Sequence, residues 1–343
     1  MATVFDRVIA ALFGGTAGNL SETDRQLIDD ATEMIVDTVE PRVRARSGYR
    51  GMLAGGVQRT IEHLRAMARE QFEPLLLSRA NWGQDARINA FFATADDVPA
   101  CVGRSQEVRR FFEQHPDCGE AYALLGMKRE EKTVFAPRLE GEMLKQDVAQ
   151  VAVSFSGHRL LAPSTELAQT RLEIGRRVVD RLAQLALARI LEFDKKATEL
   201  QQQKGYLATR LRLLNLARDG MEGLVSDPAT IEQQIREVER ELKETVEDYV
   251  EAKSSIATLD GHIEQINAVL TRPAEHVTLV HVPLRLTRMG IKVDAASPEA
   301  AEELDLTEIS IGEGLQATVE MVRIPRAELP PKEDLIAQAE RYL

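Results

Sequence analysis

The chain has 343 residues, of which 44% are hydrophobic, 29% are charged and only 5% are aromatic. This length fits two or three modules, and a charge-rich, aromatic-poor composition is typical of long solvated helices rather than of one large core. The net charge of −12 argues against a general affinity for nucleic acid or for anionic lipid.

Cysteine content and hydropathy exclude further classes of protein. Cys101 and Cys118 cannot build a disulfide framework, and their spacing matches no zinc pattern. The segment from Met1 to Leu20 lacks the basic start, the long apolar run and the cleavage site of a signal peptide. No window approaches the roughly 18–20 apolar residues that a membrane span needs. We therefore expect a cytoplasmic protein without a membrane span, a cofactor or a metal.

Residues 1–126 are predicted to form a helical module. Ser21-Glu-Thr-Asp24 resembles a capping box and should open a helix that ends near Val39, before Pro41. Apolar spacing predicts a second helix over Met52–Glu73 and shorter ones over Ala86–Ala95 and Ser105–Gln114. A last short helix or turn is predicted over Glu120–Met127.

Two groups of strands are predicted, separated by a long helical segment. Alternating and β-branched residues from Lys132 to Ala162 predict a hairpin or two adjacent strands. After Pro273, strands are predicted over His276–Leu286, Ile291–Val293 and the hairpin Leu306–Ile324, which turns at Gly312-Glu313-Gly314. The two groups, 127–163 and 272–327, should join into one small composite antiparallel β module. A short helix is expected in the C-terminal segment 328–343.

The clearest signal is a heptad seam in the second half of the inserted segment 164–271. Apolar or aromatic residues recur there in alternating steps of four and three, with Thr245 as the exception. The seam positions are Ile231, Ile235, Val238, Leu242, Thr245, Tyr249, Ala252, Ile256, Leu259, Ile263, Ile266 and Leu270.

The first half of the same segment carries a matching seam. Its positions are Ile190, Phe193, Ala197, Leu200, Lys204, Leu207, Leu211, Leu214, Arg218 and Met221, continued upstream by Val179, Leu182 and Ala186 after a stutter. The break Gly223–Pro228 between the seams is short, which forces the two helices to be antiparallel. We predict a long antiparallel coiled-coil hairpin; the alternative is two helices of an ordinary bundle.

If Met221 faces Ile231, the register of the hairpin is fixed, and Leu214 then lies opposite Val238. Lys204 falls opposite Tyr249, where its stem can be buried while its ammonium lies near the ring. Lys204 and Arg218 are therefore candidates for fixing the register. The second helix should run unbroken for about 44 residues, on the order of 65 Å.

The start of the first helix has an apolar face that is wider than its partner helix can cover. This face comprises Ile174, Val178, Val179, Leu182 and Leu185. It should pack against the globular part or against another subunit, and we predict a homo-oligomer, with a dimer favoured. The order β–helical hairpin–β resembles that of periplasmic adaptor proteins in outline. Those proteins carry an export signal or a membrane anchor, which we do not find here, and we assign no family.

A cluster of arginines is the strongest local charge feature. Between residues 41 and 69 only Glu62 opposes seven arginines: Arg42, Arg44, Arg46, Arg50, Arg59, Arg65 and Arg69. The cluster could bind a phosphate, a nucleic-acid strand or an acidic partner. Alternatively, these arginines pair with the carboxylates of the chain itself, such as Asp29, Asp30, Glu33 and Asp37.

Other motifs offer little chemistry. Gly14–Gly18 lacks the lysine and hydroxyl pair of a phosphate loop. His115 and Cys118 form at best half of a zinc site. Ser156 and His158 lie close together at a predicted strand end, but no acid or oxyanion loop accompanies them, and a turn between β residues explains them better than a hydrolase does.

These observations favour an α+β protein, predominantly α, with no catalytic residues. We predict a non-enzymatic cytoplasmic coiled-coil scaffold or adaptor that binds protein partners or its own copies. The alternative is a protein that binds nucleic acid or a phosphate ligand through the Arg42–Arg69 cluster.

Overall fold

The computed structural model describes residues 22–68, 73–140, 143–220, 228–294, 297 and 299–331. It has an α+β fold that is predominantly α, as the sequence predicts. The helices are α1 (Glu22–Val39), α2 (Tyr49–Ala68), α3 (Ala86–Phe91), α4 (Asp97–Arg104), α5 (Gln106–Gln114), α6 (Leu167–Asp219), α7 (Pro228–Ala257), α8 (Leu259–Leu270) and α9 (Pro273–His276), with 3-10 turns at Pro41–Ala45, Arg79–Gly83 and Arg326–Glu328. The strands are β1 (Leu75–Leu76), β2 (Glu120–Glu140), β3 (Met143–Ser164), β4 (Val277–Leu286), β5 (Glu302–Ile311) and β6 (Leu315–Pro325).

The chain divides into two compact units. The arm unit comprises Ile28–Thr60 and Val179–Pro273, and the sheet unit comprises the rest. The predicted helical module 1–126 is thereby shared between the two units. The predicted cap at Ser21 and the C-terminal helix over Lys332–Tyr342 lie outside the described residues.

The sheet unit is built on one six-stranded sheet with the order β3-β2-β6-β5-β4, to which β1 adds in parallel beside β6. All other pairings are antiparallel. β2 pairs with β6 from Glu120↔Pro325 to Met127↔Thr318. Strands from before and after the helical insertion therefore join in one sheet, which confirms the predicted composite β module. Ile291 forms only an isolated bridge, to Ala152.

One face of the sheet holds the main hydrophobic core. Alternate residues of β2, including Ala123 and Leu125, point to this face and pack with the aromatic side chains of α3 and α5. Phe91, Phe92 and Phe112 are among the largest side chains that are fully buried.

Several predicted elements differ from the structure. The segment Glu120–Met127, predicted as a helix or turn, is the start of β2. Residues on both faces of this part of β2 are buried or half-buried, so a period of two is hidden in a nearly continuous apolar run. The helix predicted over Ala86–Ala95 ends at Phe91.

The arm unit contains the predicted coiled coil, formed by α6 and α7. The second helix is not continuous as predicted, because it breaks at Thr258 between α7 and α8. Thr258 Oγ1 accepts a hydrogen bond from Gly261 N at 3.0 Å and so caps a new helix. Apolar spacing continues unchanged across the break from Ile256 to Leu259, which is why the seam pattern does not show it.

Helix α8 packs closely on α2 within the arm unit. Thr60 Oγ1 donates to Leu270 O at 2.9 Å, and Asn267 Nδ2 donates to Met52 O at 3.0 Å. A Cβ atom on Gly56 would lie only 3.0 Å from Leu270 Cβ. Gly56 therefore permits an approach that a larger residue would block.

The apolar start of the first coiled-coil helix is largely covered in the single chain. Val178, Val179 and Leu182 are buried, while Ile174 and Leu185 are half-buried. The prediction of an oligomer rests on this face being left uncovered within one chain. Because the face is largely covered, a surface for self-association has to lie elsewhere on the chain.

Candidate protein-interaction surface

The seam of the arm is built from the residues that the heptad pattern predicts. Among the seam positions that the structure describes, all except Arg218 are buried or half-buried. The buried ones are Val179, Leu182, Ala186, Ile190, Ala197, Leu207, Ile231, Ile235, Val238, Thr245, Ala252, Ile256, Ile263, Ile266 and Leu270. The half-buried ones are Phe193, Leu200, Lys204, Leu211, Leu214, Leu242, Tyr249 and Leu259.

Polar contacts across the seam agree with the predicted register. Lys204 Nζ lies 4.8 Å from the centroid of the Tyr249 ring, which confirms the predicted cation–π pair. Asp194 and Lys253 form an ion pair at 3.6 Å. The two helices are therefore antiparallel and aligned within a few residues of the predicted pairing.

Arg218 does not fix the register as predicted. It is exposed and forms an ion pair with its neighbour Asp219 at 2.9 Å. The long guanidinium side chain reaches water at the end of the helix at no cost in burial. Met221, the last predicted seam position, lies outside the described residues.

The outward face of α6 carries apolar side chains that the seam does not use. Tyr206, Leu213 and Leu216 are 67%, 61% and 61% exposed, and together we call them the outer stripe. Tyr206 and Leu213 are seven residues apart and Leu216 is three further on, so all three share one helical face. The sequence prediction missed this stripe, although its spacing was a signal that could have found it.

Charges near the outer stripe differ in sign between the two helices of the arm. From Lys204 to Asp219, α6 has four basic residues and one acidic residue. Arg210 and Arg212 adjoin the stripe, and neither makes an ion pair with any residue that the structure describes.

Helix α7 is acidic, with eight acidic and four basic residues. Five acids recur in steps of four and three, and together we call them the acidic row: Glu237, Glu241, Glu244, Asp248 and Glu251. Arg240 binds Glu237 and Glu244 within α7. Within the described part of the chain, Glu241, Asp248 and Glu251 form no ion pair. The arm thus exposes unmatched charges of both signs.

The predicted arginine cluster binds carboxylates of the chain at several of its members. Arg42 Nη2 lies 2.7 Å from Glu40 Oε2, and Arg44 Nη2 lies 2.7 Å from Asp37 Oδ1. Hydrogen bonds from Arg42 lower the pKa of Glu40 to about 2.

Glu33 gathers three donors of the same region. Tyr49 donates its hydroxyl to Glu33, and Arg44 and Arg50 approach its carboxylate at 2.9 and 2.8 Å. Burial raises the pKa of Glu33, but these hydrogen bonds outweigh it and hold the pKa below its ordinary value. Tyr49, the one aromatic residue available for stacking on a base, is thereby engaged.

The remaining members of the cluster differ in their surroundings. Arg46 Nε lies 2.6 Å from Asp260 Oδ1. This ion pair connects the residue after the 3-10 turn Pro41–Ala45 to helix α8. Arg59 is exposed and has no ion pair with a described residue, and Arg65 is half-buried. Arg69 lies outside the described residues. Four of the seven arginines are therefore paired inside the chain.

Ser156 and His158 are not arranged as a catalytic pair. The ring of His158 stacks on Phe92 with centroids 4.6 Å apart, and its Nε2 lies 2.8 Å from Phe91 O. Burial lowers the pKa of His158. Ser156 is exposed. It precedes Gly157, which has a φ of +65° and lies where the pairing of β2 with β3 shifts in register. His158 thus serves the packing of α3 on β3.

A buried ion pair in the sheet unit was not predicted. Arg87 Nη1 lies 2.9 Å from Glu320 Oε1, and the Glu320 side chain is buried on the core face of β6. Burial raises the pKa of Glu320 to about 7, against the opposing effect of Arg87. The two residues are 233 positions apart, so no local pattern indicates the contact.

Comparison with known proteins adds no identity. No protein-family model matches the chain, and no curated protein or solved structure matches it significantly. In the described part of the chain, no three side chains of His, Cys, Asp or Glu come together as metal ligands would. None of the described helices combines the length and the apolar composition that crossing a bilayer requires.

Proposed function

We propose that the protein is a non-enzymatic scaffold or adaptor whose coiled-coil arm associates with the arm of a second copy. The outer stripe carries this proposal. Its three large side chains are exposed on one helical face, and the seam of the arm does not need them. Burying each of them would contribute roughly 1.5–3 kcal/mol before the costs of association.

The charges of the arm favour a second copy over an unrelated partner. Arg210 and Arg212 of one arm would meet the acidic row of the other, and the reverse contact would form at the same time. A two-fold dimer uses the same surface on both partners, so one chain has to carry both halves of a complementary pair. The arm meets this requirement, since α6 is basic beside the stripe and α7 is acidic.

The absence of enzymatic activity and the cytoplasmic location stay predictions from the sequence. Binding of nucleic acid by the Arg42–Arg69 cluster also stays a prediction. The ion pairs of Arg42, Arg44, Arg46 and Arg50 with carboxylates of the chain give it no support.

Light scattering coupled to size-exclusion chromatography tests the proposal. The wild-type chain should have the mass of a dimer at micromolar concentration. The double variant Leu213→Glu/Leu216→Glu should have the mass of a monomer, because it places charges on an apolar contact. Circular dichroism should show the same helix content in both proteins.

A matched control adds the same charge elsewhere on the same helix. Gln201 and Ala208 are exposed, seven residues apart and on a different face of α6 from the stripe, and Gln201→Glu/Ala208→Glu should leave the mass of the dimer unchanged. A wild-type protein that is monomeric up to 100 μM would refute the proposal. So would a dimer that persists in the stripe variant.

A further inference from the structure

A cavity of about 110 Å³ lies on the face of the sheet opposite the main core, inside the sheet unit. The strands contribute Leu279, Ile309, Val319 and Met321, among others, to its wall. These side chains alternate with those of the core face along each strand. Glu320 also borders the cavity, but its carboxylate points to the core face and binds Arg87. The sheet wall is therefore almost entirely apolar.

The first turns of α6 form the wall opposite the sheet. Arg171, Ile174, Gly175 and Val178 line the cavity, and their spacing of three, four and seven residues places them on one helical face. Gly175 contributes no side chain to this wall.

Two polar groups stand out in the apolar lining. Thr307 is 4% exposed, and its hydroxyl has no hydrogen bond with any described residue. Arg171 is half-buried and has no ion pair within the described part of the chain. A threonine hydroxyl can donate a hydrogen bond to a ligand, and a guanidinium presents several donors to one anion. Both groups suit a ligand with an anionic head.

We propose that this cavity binds a short aliphatic carboxylate. The chain occupies the apolar space, and the carboxylate accepts hydrogen bonds from Arg171 and Thr307. The volume is below the 150 Å³ of a dry cavity that accepts benzene, which limits the buried part to about four to six carbon atoms. This ligand site lies in the sheet unit and is independent of the association of the arms.

Titration of the full chain with three six-carbon probes tests the charge of the head group. Hexanoate, 1-hexanol and hexylamine are added separately, and binding is followed by isothermal titration calorimetry. Hexanoate should bind with saturation, hexanol should bind about tenfold more weakly, and hexylamine more weakly still, because hydrogen bonds to a charged group are the strong ones. No saturable binding of hexanoate, or equal binding of hexylamine, would overturn the proposal.

Three variants locate the site. Arg171→Gln should weaken hexanoate about tenfold and hexanol less than twofold, whereas Arg176→Gln, on the same helix outside the cavity, should change neither. Thr307→Val keeps the shape, removes the hydroxyl and should weaken hexanoate severalfold. Gly175→Leu should fill the space and abolish binding of both probes. If Gly175→Leu does not fold, the other two variants still decide: unchanged hexanoate affinity in both would refute the site.

Discussion

The arm unit and the sheet unit use apolar and charged residues in opposite ways. In the coiled-coil part of the arm unit one narrow seam provides the core, while large apolar side chains such as Leu213 are exposed and most charges lie in water. In the sheet unit large aromatic side chains are fully buried, and the carboxylate of Glu320 is buried as well. An exposed apolar stripe on a solvated helix is typical of a protein-interaction surface, whereas an apolar cavity with a few polar groups in its lining is typical of a small-ligand site. The two units therefore suggest different kinds of binding.

The largest effect should separate the seam from the outer stripe. Val238 is fully buried in the seam, so Val238→Asp places an unpaired charge in an apolar environment and should lower the free energy of unfolding by roughly 5 kcal/mol. Leu213→Asp, on the outer stripe, should change it by less than about 0.5 kcal/mol in the monomer. Urea unfolding at low protein concentration measures both. Similar losses in the two variants would mean that the stripe belongs to the core of the arm.

The buried carboxylate of the sheet unit should make its stability depend on pH. Burial raises the pKa of Glu320 from 4.5 to about 7, so the stability linked to its neutral form is complete below pH 4.5 and is lost as the pH rises through 7. Between pH 5.5 and pH 8 the wild type should lose roughly 2 kcal/mol relative to Glu320→Gln. Denaturant unfolding at the two pH values gives this difference. Glu313→Gln, at an exposed position in the turn between β5 and β6, is the control, and a parallel response of the two variants would contradict the assignment.

Two adjacent glycines of α2 allow a sharper test of packing inside the arm unit. A Cβ atom on Gly56 would lie 2.7 Å from Asn267 Oδ1 and 3.0 Å from Leu270 Cβ, whereas one on Gly55 would have open space. Gly56→Ala should cost about 1 kcal/mol through overpacking, and Gly55→Ala should add about 0.5–1 kcal/mol through helix propensity. Thermal unfolding of both variants measures this. If both variants raised the midpoint of thermal unfolding by the same amount, α2 and α8 would not be in close contact at Gly56.

The smallest effect should come from the arginine cluster. Arg42, Arg44 and Arg46 form exposed ion pairs, which contribute little to stability in water. The triple change to alanine should leave the midpoint of thermal unfolding nearly unchanged, and the wild type should not retard DNA or RNA at low salt. Salt-dependent retardation that disappears in the triple variant would instead support the nucleic-acid alternative.

The two units also differ in how much of them the sequence predicts. The seam and the contact of Lys204 with Tyr249 follow from heptad arithmetic, since a coiled coil repeats one local rule. Joining of the strands around the insertion follows from the antiparallel course of the arm. The break at Thr258 is missed because capping leaves apolar spacing unchanged, and the start of β2 is missed because its apolar faces hide the alternation. The pair Arg87–Glu320 depends on contacts between distant segments, which no local pattern records.

Charge reversal between two arms tests the proposed association most directly. One variant carries Arg210→Glu and Arg212→Glu, and the other carries Glu241→Lys and Asp248→Lys. Each variant alone should be monomeric by light scattering, because like charges then face each other at both contacts. An equimolar mixture should recover the dimer, because both contacts then pair opposite charges. Two variants that dimerise on their own, or a mixture that stays monomeric, would contradict a dimer built from the outer stripe and the acidic row.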